Sequence, residues 1–308
     1  MIVALSGGIG GAKLALGLAH ETEPDELAVI ANTGDDFVHL GLAISPDLDT
    51  LLYTLAGLDN QELGWGRRDE SWTAMETLAQ LGGANWFRLG DRDLALHLVR
   101  SARLAEGESL SAVTEALRTR LGVRPRLLPA TDDPLRTVLH TDQGVLAFQE
   151  YFVHRRCAPV VHAIDYAGAA AARPLPAALA AIAAAEAVVI CPSNPFLSID
   201  PILAVPGLRT ALAATAAPVV AVSPLIGGRA VKGPTAKLMA ELGLPVTARA
   251  VAAHYAPLLD LMVADPDDAA TLAGSGIEAV AAPTLMRTLA DKRGLARVVL
   301  DAARRARA

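Results

Sequence analysis

Two groups of residues near the start of the chain have the types and spacing that phosphoryl chemistry requires. Four carboxylates closely follow an apolar run, those of Asp35, Asp36, Asp47 and Asp49. Clusters of oxygen ligands suit a hard divalent cation that bridges phosphate oxygens. A glycine-rich loop with a lysine precedes them at residues 6–13. Together the two groups predict phosphoryl chemistry on a nucleotide-like ligand, with a metal ion bound by at least two of the carboxylates.

The glycine-rich loop has the physical core of a phosphate-binding loop without matching either common pattern. Lysine stands where the dinucleotide-binding fingerprint has its third glycine, and the Gly-Lys-Ser/Thr ending of a Walker A loop is missing. Small residues still let backbone N–H groups approach an anion at a helix N-terminus, where the dipole favours negative charge. The alternative is a purely structural tight turn. The predicted nucleotide contacts are Gly7, Gly8, Gly10 and Lys13.

The four carboxylates have a competing structural explanation. A solvated acidic loop with helix N-caps would also place acidic residues here, and Asp49 is suited to cap a helix that starts at Thr50. Such a cap contributes about 1 kcal/mol to stability. Because capping accounts for one carboxylate and not for four, metal binding is the preferred interpretation. The spacing leaves open which carboxylates take part.

A second acidic motif lies in the middle of the chain, at residues 90–93. Asp91 follows an aromatic run and begins a predicted helix. It is either a first-turn residue that the helix dipole favours or a site residue. His97, further along the same helix, is interpreted as a packed or surface histidine and not as a base. Trp65 and Trp72 are interpreted as core anchors, although a flat aromatic substrate would need such neighbours.

Two later loops carry further candidate ligand contacts. Ser193 and Asn194 directly follow a strand-like run at residues 187–190 and precede a proline, which suits contacts to a nucleobase or a phosphate. A structural Asx-type turn explains this pair nearly as well. Lys232 lies in a glycine-rich loop at residues 227–234, where a flexible point charge suits phosphate. We therefore predict nucleotide contacts from both loops.

The elements that must position these residues are predicted to form an α/β fold. Strand-like runs at residues 2–5 and 27–32 flank a helical pattern at 12–20, which is typical of a βαβ unit in a parallel sheet. Ligands of such sheets bind outside the carboxyl ends of the strands. Sequence order thus puts the glycine loop and the carboxylates at the same edge. Further strands are predicted at residues 187–190, 218–222 and 261–264.

The middle of the chain is interpreted as an insertion. Residues 50–121 look mostly helical, and residues 137–140 and 145–149 flank a turn and predict a β-hairpin. The predicted architecture is a Rossmann-like three-layer core with a mostly parallel sheet, into which a mainly helical subdomain with the hairpin is inserted. The predicted boundaries are 1–50 and 186–308 for the core and 51–185 for the inserted α+β subdomain.

Composition limits the class of protein. The chain has 308 residues, 52% hydrophobic and 19% charged, which is typical of a globular protein. A net charge of −6 without a basic stripe argues against nucleic-acid binding. Two cysteines without CxxC spacing, Cys157 and Cys191, argue against a disulfide framework and favour a cytoplasmic location. The longest apolar stretch, residues 167–191, contains charged residues and prolines and is not predicted to span a membrane.

Together these motifs resemble the 2-phospho-L-lactate transferase family of deazaflavin coenzyme F-420 biosynthesis, along nearly the whole chain. They occur in the family's order, and the set is far more specific than any one motif. The segments that carry the resemblance are Ser6-Gly7-Gly8 with Lys13, Asn32-Thr33, Ser45-Pro46-Asp47-Leu48-Asp49-Thr50, Leu89-Gly90-Asp91-Arg92-Asp93, Pro192-Ser193-Asn194-Pro195 with Ser198-Ile199 and Pro201-Ile202, and Ser223-Pro224 with Gly227.

The resemblance implies a magnesium-dependent transferase. The family transfers a phospho-carboxylate unit from a guanosine diphosphate donor to the ribityl hydroxyl of Fo (7,8-didemethyl-8-hydroxy-5-deazariboflavin) and releases GMP. The donor is then expected in the glycine loops, and the flat acceptor beside the acidic loop, where the inserted subdomain completes its site. By matching position, Asp49 and Arg88 resemble acceptor-binding residues, and Ser193 and Asn194 resemble donor contacts. A homodimer is also implied.

The same resemblance implies catalytic roles. Asp35 and Asp49 are expected to hold Mg²⁺, which would polarise the phosphoryl group. Lys13 is expected to stabilise charge on the nucleotide phosphates. The proton of the acceptor hydroxyl is expected to pass to Asp49 or Asp91, so that Asp91 is counted with the acceptor site.

The transferred acid is left open by the sequence. The Gly11-Ala12 and Gly34-Asp35-Asp36 segments and residues 65–68 look like those of bacterial relatives. Such relatives use phosphoenolpyruvate, or another phosphorylated three-carbon acid, in place of 2-phospholactate. These acids differ by a double bond or a hydroxyl, so one pocket side chain can decide among them.

Two other functions compete with the transferase. A nucleotide-sugar-binding regulatory protein of the same fold would share the glycine opening, but a passive binder would not require residues 45–50 and 90–93. An NAD-dependent dehydrogenase is disfavoured by Lys13, which replaces the third glycine. It is also disfavoured by Asn32, which ends the second strand where an acidic residue is needed.

Overall fold

The computed structural model describes residues 1–307, apart from the side chain of Pro24. Over this range the strands are β1 (Ile2–Ser6), β2 (Leu27–Ala31), β3 (Phe37–His39), β4 (Leu42–Ile44), β5 (Arg126–Pro129), β6 (Arg136–Thr141), β7 (Gly144–Ala147), β8 (Val161–Ala167), β9 (Ala187–Ile190), β10 (Val219–Val222), β11 (Leu225–Ile226), β12 (Arg229–Ala230), β13 (Leu261–Ala264) and β14 (Glu278–Ala281). The helices are α1 (Gly8–Glu21), α2 (Pro46–Leu55), α3 (Thr73–Gln80), α4 (Asp91–Ala105), α5 (Leu110–Arg120), α6 (Pro176–Ala183), α7 (Asp200–Ala204), α8 (Leu208–Ala214), α9 (Thr235–Glu241), α10 (Ala248–Tyr255), α11 (Pro266–Ala269) and α12 (Leu289–Arg307).

A parallel sheet of seven strands forms the centre, in the order β14-β13-β10-β9-β1-β2-β5. From β1 the chain adds β2 and β5 on one side, then crosses to add β9, β10, β13 and β14 on the other. This is a doubly wound arrangement whose switch point lies between β1 and β9, the position at which such sheets bind ligands. The predicted α/β class with a mostly parallel sheet is confirmed.

Two hydrophobic cores cover the faces of the sheet and make three layers. Alternate strand residues point to opposite faces, so Val3 and Leu5 enter one core, which contains α6, α8 and α10. Ala4 enters the other core, which contains α1 and α12. Every residue of β2, β9 and β10 is buried, as expected for strands covered on both sides. Each fully buried leucine or valine contributes about 1.5–3 kcal/mol of stabilisation.

The region between the two halves of the sheet also contributes to it. The β6–β7 hairpin is present as predicted, and β8 adds a third antiparallel strand to it. Strand β5, which the sequence did not predict, pairs in parallel with β2 at the edge of the central sheet. The predicted insertion therefore supplies one strand of the core, and its boundaries at 51 and 185 stay a prediction. Helix α1 begins at Gly8, earlier than the predicted start at Ala12.

Among the described residues, no single helix combines the length and the apolar composition needed to cross a membrane. One consecutive pair, Pro195–Ala204 and Leu208–Ala214, reaches that composition together but is bent by 89°.

Candidate active site

The loops after β1 and β9 meet at the switch point of the sheet. The Ser193 hydroxyl donates a hydrogen bond to the Gly7 carbonyl oxygen at 2.7 Å, and the Gly7 amide nitrogen lies 3.4 Å from the same hydroxyl. A Cβ atom at Gly10 would lie 2.3 Å from the Pro192 carbonyl oxygen, so only glycine allows this approach. Gly8 has φ +65°, in the left-handed region that favours glycine. Two predicted nucleotide-binding segments are thus in direct contact.

Asp47 joins the acidic segment to the glycine loop. The Gly8 amide donates to Asp47 Oδ1 at 2.5 Å, and Asn32 Nδ2 donates to Asp47 Oδ2 at 2.9 Å. The carboxylate faces the amino end of α1, where the helix dipole favours negative charge. The acidic segment and the glycine loop therefore converge on one place in the fold.

All four carboxylates of the acidic segment are buried. Burial raises the pKa of Asp35 well above its ordinary value, and the negative charges of Asp47 and Asp36 raise it further. Burial also raises the pKa of Asp36 to about 7 and that of Asp47 to about 6. The Oδ1 atoms of Asp35 and Asp36 are buried and receive no hydrogen bond from the described residues. A bound cation would relieve such crowding, because it favours the charged form of each carboxylate.

Asp49 forms a buried ion pair with Arg100. Arg100 Nη1 donates to Asp49 Oδ2 at 3.0 Å, and Nη2 donates to Oδ1. The Arg100 side chain is 1% exposed. Helix α2 begins at Pro46, with Ser45 at the N-cap position, and Asp49 lies inside the first turn. The alternative in which Asp49 caps a helix starting at Thr50 is therefore wrong.

A polar seam between α2 and α4 continues from this ion pair. The Tyr53 hydroxyl donates to Asp93 Oδ1 at 2.5 Å. His97 Nε2 lies 3.2 Å from the same oxygen, and His97 Nδ1 lies 3.7 Å from Asp49 Oδ2. Helical spacing puts Asp93, His97 and Arg100 on one face of α4, opposite Asp49 and Tyr53 on α2. These five residues are called the polar seam below.

Asp91 lies outside the polar seam. Its Oδ2 accepts hydrogen bonds from Ser71 Oγ at 2.6 Å and from the Thr73 amide at 3.1 Å, and its Oδ1 accepts one from the Ala74 amide at 3.0 Å. The bonds from Ser71 and Ala74 lower the pKa of Asp91. In this structure Asp91 therefore holds the amino end of α3.

One cavity of about 770 Å³ is lined by all the predicted catalytic, nucleotide-binding, acceptor-binding and metal-binding residues except Asp91. This volume is in the range of small-molecule sites. Asp91 does not line the cavity, whereas Asp93 does. The predicted residues in its walls are Gly7, Gly8, Gly10, Lys13, Asp35, Asp49, Arg88, Ser193, Asn194 and Lys232.

Two lysines face the cavity beside the glycine loop. Lys13 Nζ donates to the Met286 carbonyl oxygen at 3.0 Å. Burial lowers the pKa of Lys13, and the positive charges of Lys232 and Lys292 lower it further. Lys232 Nζ has a long contact of 3.4 Å with the Gly64 carbonyl oxygen. Clustered positive charge at a half-buried wall favours an anionic ligand.

Asn194 combines a structural contact with an unpartnered donor. Its Oδ1 accepts hydrogen bonds from the amides of Phe196 and Leu197, at 3.0 and 3.1 Å. The Asx-type turn that the sequence offered as an alternative is thus present. Its Nδ2 is buried and has no hydrogen-bond partner among the described residues. The turn leaves this donor free for an acceptor on a ligand.

Aromatic side chains from the inserted region form another part of the wall. The Arg88 guanidinium carbon lies 4.2 Å from the centroid of the Trp72 ring. The Trp65 and Trp72 rings lie 6.3 Å apart in an edge-to-face arrangement. Trp65 is 45% exposed and lines the cavity, so its interpretation as a core anchor is wrong. Trp86 and Phe87 line the same cavity.

The sequence reasoning missed most of the polar seam. His97 is 1% exposed, so its prediction as a packed residue is confirmed, but it packs between two carboxylates. Tyr53, Asp93 and Arg100 were assigned no role. The available signal was the spacing of polar residues, at i, i+4 and i+7 in the later helix and at i and i+4 in the earlier one. Spacing alone cannot show that two such faces meet, because a solvated helix has the same pattern.

Comparison with known proteins places this site in a family. The chain matches the family described as 2-phospho-L-lactate transferase CofD over residues 2–283. The chain belongs to this family. It is 48% identical to a phosphoenolpyruvate transferase of Kitasatospora aureofaciens, over 99% of this chain and 98% of that protein. Proteins of the same name from Streptomyces griseus (45% identical, 100% and 99% covered) and Thermobifida fusca (46%, 92% and 92%) are also similar.

Solved structures share the fold of this family member. A Bacillus halodurans protein superposes with a TM-score of 0.65 at 16% identity, over 97% of this chain and 98% of that chain. A second structure of the same protein, described as a member of the UPF0052 family, gives a TM-score of 0.62 at 17% identity over 97% of this chain and 99% of that chain. At such identity the likeness establishes the α/β architecture alone.

Proposed function

We propose that the protein transfers a phospho-carboxylate unit from a guanosine diphosphate donor to the ribityl hydroxyl of Fo and releases GMP. The observation that carries the proposal is the cavity in which the glycine loop, buried carboxylates and an aromatic wall meet. Each supplies one need of this reaction: contacts to nucleotide phosphates, charge control at phosphorus, and a surface for a flat acceptor. Membership of a transferase family supports the same conclusion.

The donor acid in this proposal is phosphoenolpyruvate. Relatives at 41–48% identity, aligned over at least 92% of this chain, carry the name phosphoenolpyruvate transferase. The alternatives that the sequence left open, 2-phospholactate and another phosphorylated three-carbon acid, become the comparison substrates.

The nucleotide end of the donor is assigned to the walls beside β1 and β9. Lys13 and Lys232 would offset the charge of the diphosphate, and the amides of the glycine loop would contact its oxygens. The unpartnered Asn194 Nδ2 would donate to a phosphate or to the base. Ser193 would act through its hydrogen bond to Gly7, which fixes the loop.

A magnesium ion fits the buried carboxylates. Asp35 lines the cavity with an unpartnered, buried Oδ1, and its raised pKa reflects burial first and then neighbouring negative charge, which a cation would offset. Asp49 was the expected second ligand, but both of its oxygens bond Arg100, so only their remaining lone pairs are available. We therefore assign the ion to Asp35, with a second carboxylate from Asp49 or Asp47.

The ligand set of this ion would be incomplete without substrate. Among the described residues, no group of three or more His, Cys, Asp or Glu side chains is arranged around one point as metal ligands. Mg²⁺ commonly binds through one or two carboxylates together with substrate phosphates and water. When bound, it would offset charge on the phosphoryl oxygens.

The acceptor is assigned to the aromatic wall. Arg88, held over the Trp72 ring, would bind polar edges of Fo, and Trp65, Trp86 and Phe87 would contact its flat rings. Asp49 would contact the ribityl chain from the polar seam. The protein then catalyses chiefly by holding the acceptor hydroxyl in line with the phosphorus and excluding competing geometries.

A transfer assay tests the proposal. Purified protein is incubated with Mg²⁺, Fo, and either guanylylated phosphoenolpyruvate or guanylylated 2-phospholactate, and products are measured by mass spectrometry. We expect a phospho-acid adduct of Fo and an equal amount of GMP, with the phosphoenolpyruvate donor preferred. Preference for the other acid would correct the donor assignment. Absence of any adduct from both donors would overturn the transferase proposal.

Binding measurements separate the transferase from a regulatory nucleotide-sugar binder. A transferase must bind Fo, so titration with Fo is expected to change Fo fluorescence at micromolar protein. A protein that binds guanine nucleotide but not Fo would favour the regulator. The expected homodimer is part of the proposal, and light scattering on the purified protein tests it.

A further inference from the structure

Of the two carboxylates in the polar seam, Asp93 is the one with an oxygen that accepts no hydrogen bond from the described residues. Its Oδ1 accepts the Tyr53 hydroxyl at 2.5 Å and lies 3.2 Å from His97 Nε2. Its Oδ2 receives no hydrogen bond from the described residues, and the side chain, 15% exposed, lines the cavity. Two residues earlier on the same helix, both carboxylate oxygens of Asp91 accept hydrogen bonds from Ser71 and the amino end of α3.

The hydrogen bond at His97 Nδ1 fixes the position of the ring proton. Arg100 Nη1 lies 3.2 Å from His97 Nδ1, and a guanidinium can only donate. Nδ1 must therefore accept, which puts the ring proton of the neutral imidazole on Nε2, towards Asp93 Oδ1. His97 thus has no free nitrogen with which to act as a base. Its Nε2 lies 3.2 Å from one oxygen of Asp93 without forming an aligned hydrogen bond, and it leaves the other oxygen of this cavity-lining carboxylate without a contact.

The other candidate bases are engaged. Asp49 has both oxygens hydrogen-bonded to Arg100, so neither is open to an acceptor hydroxyl in the way that Asp93 Oδ2 is. Asp35 and Asp47 lie among like charges that a cation would offset. Asp93 remains as a cavity-lining carboxylate that is held on one oxygen and open on the other.

We propose that Asp93 Oδ2 accepts the hydrogen bond of the acceptor hydroxyl and takes its proton during transfer, with Tyr53 and His97 as positioning residues. This inference rests on the proposed function. The acceptor oxygen forms a bond to the phosphorus of the phospho-acid, and the bond from that phosphorus to the bridging oxygen of GMP breaks. The electron pair of the broken bond leaves with GMP. The hydroxyl proton passes to Asp93 and then to solvent.

The charge state of Asp93 suits this role. Burial acts to raise its pKa, but interactions with His97 and Tyr53 outweigh burial and lower it. Asp93 is therefore ionised at neutral pH and always ready to accept. A loose phosphoryl-transfer transition state needs the hydroxyl oriented more than it needs a strong base, so a weakly basic aspartate suffices.

Substitution of Asp93 tests the proposal in the transfer assay. Asp93→Asn keeps the size of the side chain and an acceptor for Tyr53, but loses the proton-accepting oxygen. We expect kcat to fall about 10²- to 10⁴-fold, with the KM of the guanylylated donor unchanged. Asp132→Asn, a matched change at an exposed carboxylate that bonds Ser111 on α5, is expected to leave kcat unchanged. If wild type transfers and Asp93→Asn stays within threefold of it, the proposal is overturned. If wild type does not transfer, the proposed function fails instead.

Chemical rescue separates proton acceptance from a merely structural role. Asp93→Ala leaves space at the cavity wall, and added formate is expected to restore kcat at least fivefold while leaving wild type unaffected. Absence of rescue in folded Asp93→Ala contradicts the proposal. If both Asp93 variants fail to fold, Tyr53→Phe tests the proposal instead. This variant removes the hydrogen bond from Tyr53 to Asp93 Oδ1 and leaves the charge of Asp93 in place. A fall in kcat of about tenfold without a change in acceptor KM is then expected, and an unchanged kcat counts against the proposal.

Discussion

Around the glycine loop, the cavity wall consists of backbone and small residues at the carboxyl ends of β1 and β9. Between α2 and α4, it consists of long side chains that pair across two helices. The first wall is shaped by how closely two loops approach, and the second by charges that match inside the protein. Substitutions at the first wall should therefore act through steric clashes, and those at the second by leaving a buried charge unpaired.

The largest expected effect is at the charged wall. Arg100→Met removes the partner of Asp49 and leaves a buried carboxylate unpaired, so we expect a loss of about 3–5 kcal/mol in the free energy of unfolding. Chemical denaturation monitored by circular dichroism measures it. Arg304→Met, which breaks an exposed pair with Asp301, is the control and should cost less than about 1 kcal/mol.

A double substitution sharpens this result. Asp49→Asn combined with Arg100→Met removes both charges, and we expect it to recover more than half of the loss, because the cost comes from the unpaired charge. A double variant as unstable as Arg100→Met would show instead that packing of the arginine matters more than its charge.

The next effect is a pH dependence at the buried carboxylates. Burial raises the pKa of Asp36 to about 7, opposed by Arg136, Ser45 and Arg100, whereas the charge of Asp49 raises it. The folded protein thus holds a proton that the unfolded chain, with an ordinary pKa of 3.8, releases. Stability from this group is present below pH 4 and falls as pH rises to about 7.

The comparison of wild type with Asp36→Asn isolates that group. The variant should equal wild type near pH 4 and exceed its free energy of unfolding by about 2–4 kcal/mol at pH 8, at about 1.4 kcal/mol per pKa unit. Mg²⁺ should reduce the difference at pH 8, if it binds beside Asp35. A difference that stays constant from pH 4 to pH 8 would contradict the raised pKa.

The two walls also differ in how far the sequence predicts them. The glycine loop and Ser193 each follow a strand directly, and parallel topology then brings strand ends together, so Gly7 and Ser193 meet as their order suggested. Local pattern misplaces the start of α2, however. It favours Asp49 as the N-cap, whereas the helix begins at Pro46, a residue type that suits the first helical position.

Residues of the charged wall are separated along the chain and meet only through helix packing. Asp91 and Asp93 share one helical turn, and nothing in the sequence tells which of them faces the cavity. Ser71 and the amino end of α3 decide it by binding Asp91. Strand β5 was missed for a different reason: Arg126–Pro129 has no β-branched residue and ends in proline, whereas the equally short β9 and β10 are rich in valine.

A smaller effect is expected at the backbone wall. Gly10→Ala puts a Cβ atom 2.3 Å from the Pro192 carbonyl oxygen, and one of the two loops must move. We expect a loss of about 1–3 kcal/mol in stability and weaker binding of guanine nucleotide, measured by denaturation and calorimetry. Gly294→Ala in α12 has open space around it and should stabilise the helix by about 0.5–1 kcal/mol. Equal effects at both positions would refute the steric argument.

The smallest effect concerns the aromatic wall, where charge and shape act together. Trp72→Ala removes the ring beneath the Arg88 guanidinium, a contact worth about 0.5–1 kcal/mol at a partly exposed site. If Arg88 contacts the acceptor, the KM for Fo should rise about two- to fivefold, whereas the donor KM stays the same. Trp72→Phe keeps an aromatic ring, so its KM for Fo should lie between those of wild type and Trp72→Ala. A rise in donor KM instead would place Arg88 with the nucleotide, and the assignment of the two walls would have to be exchanged.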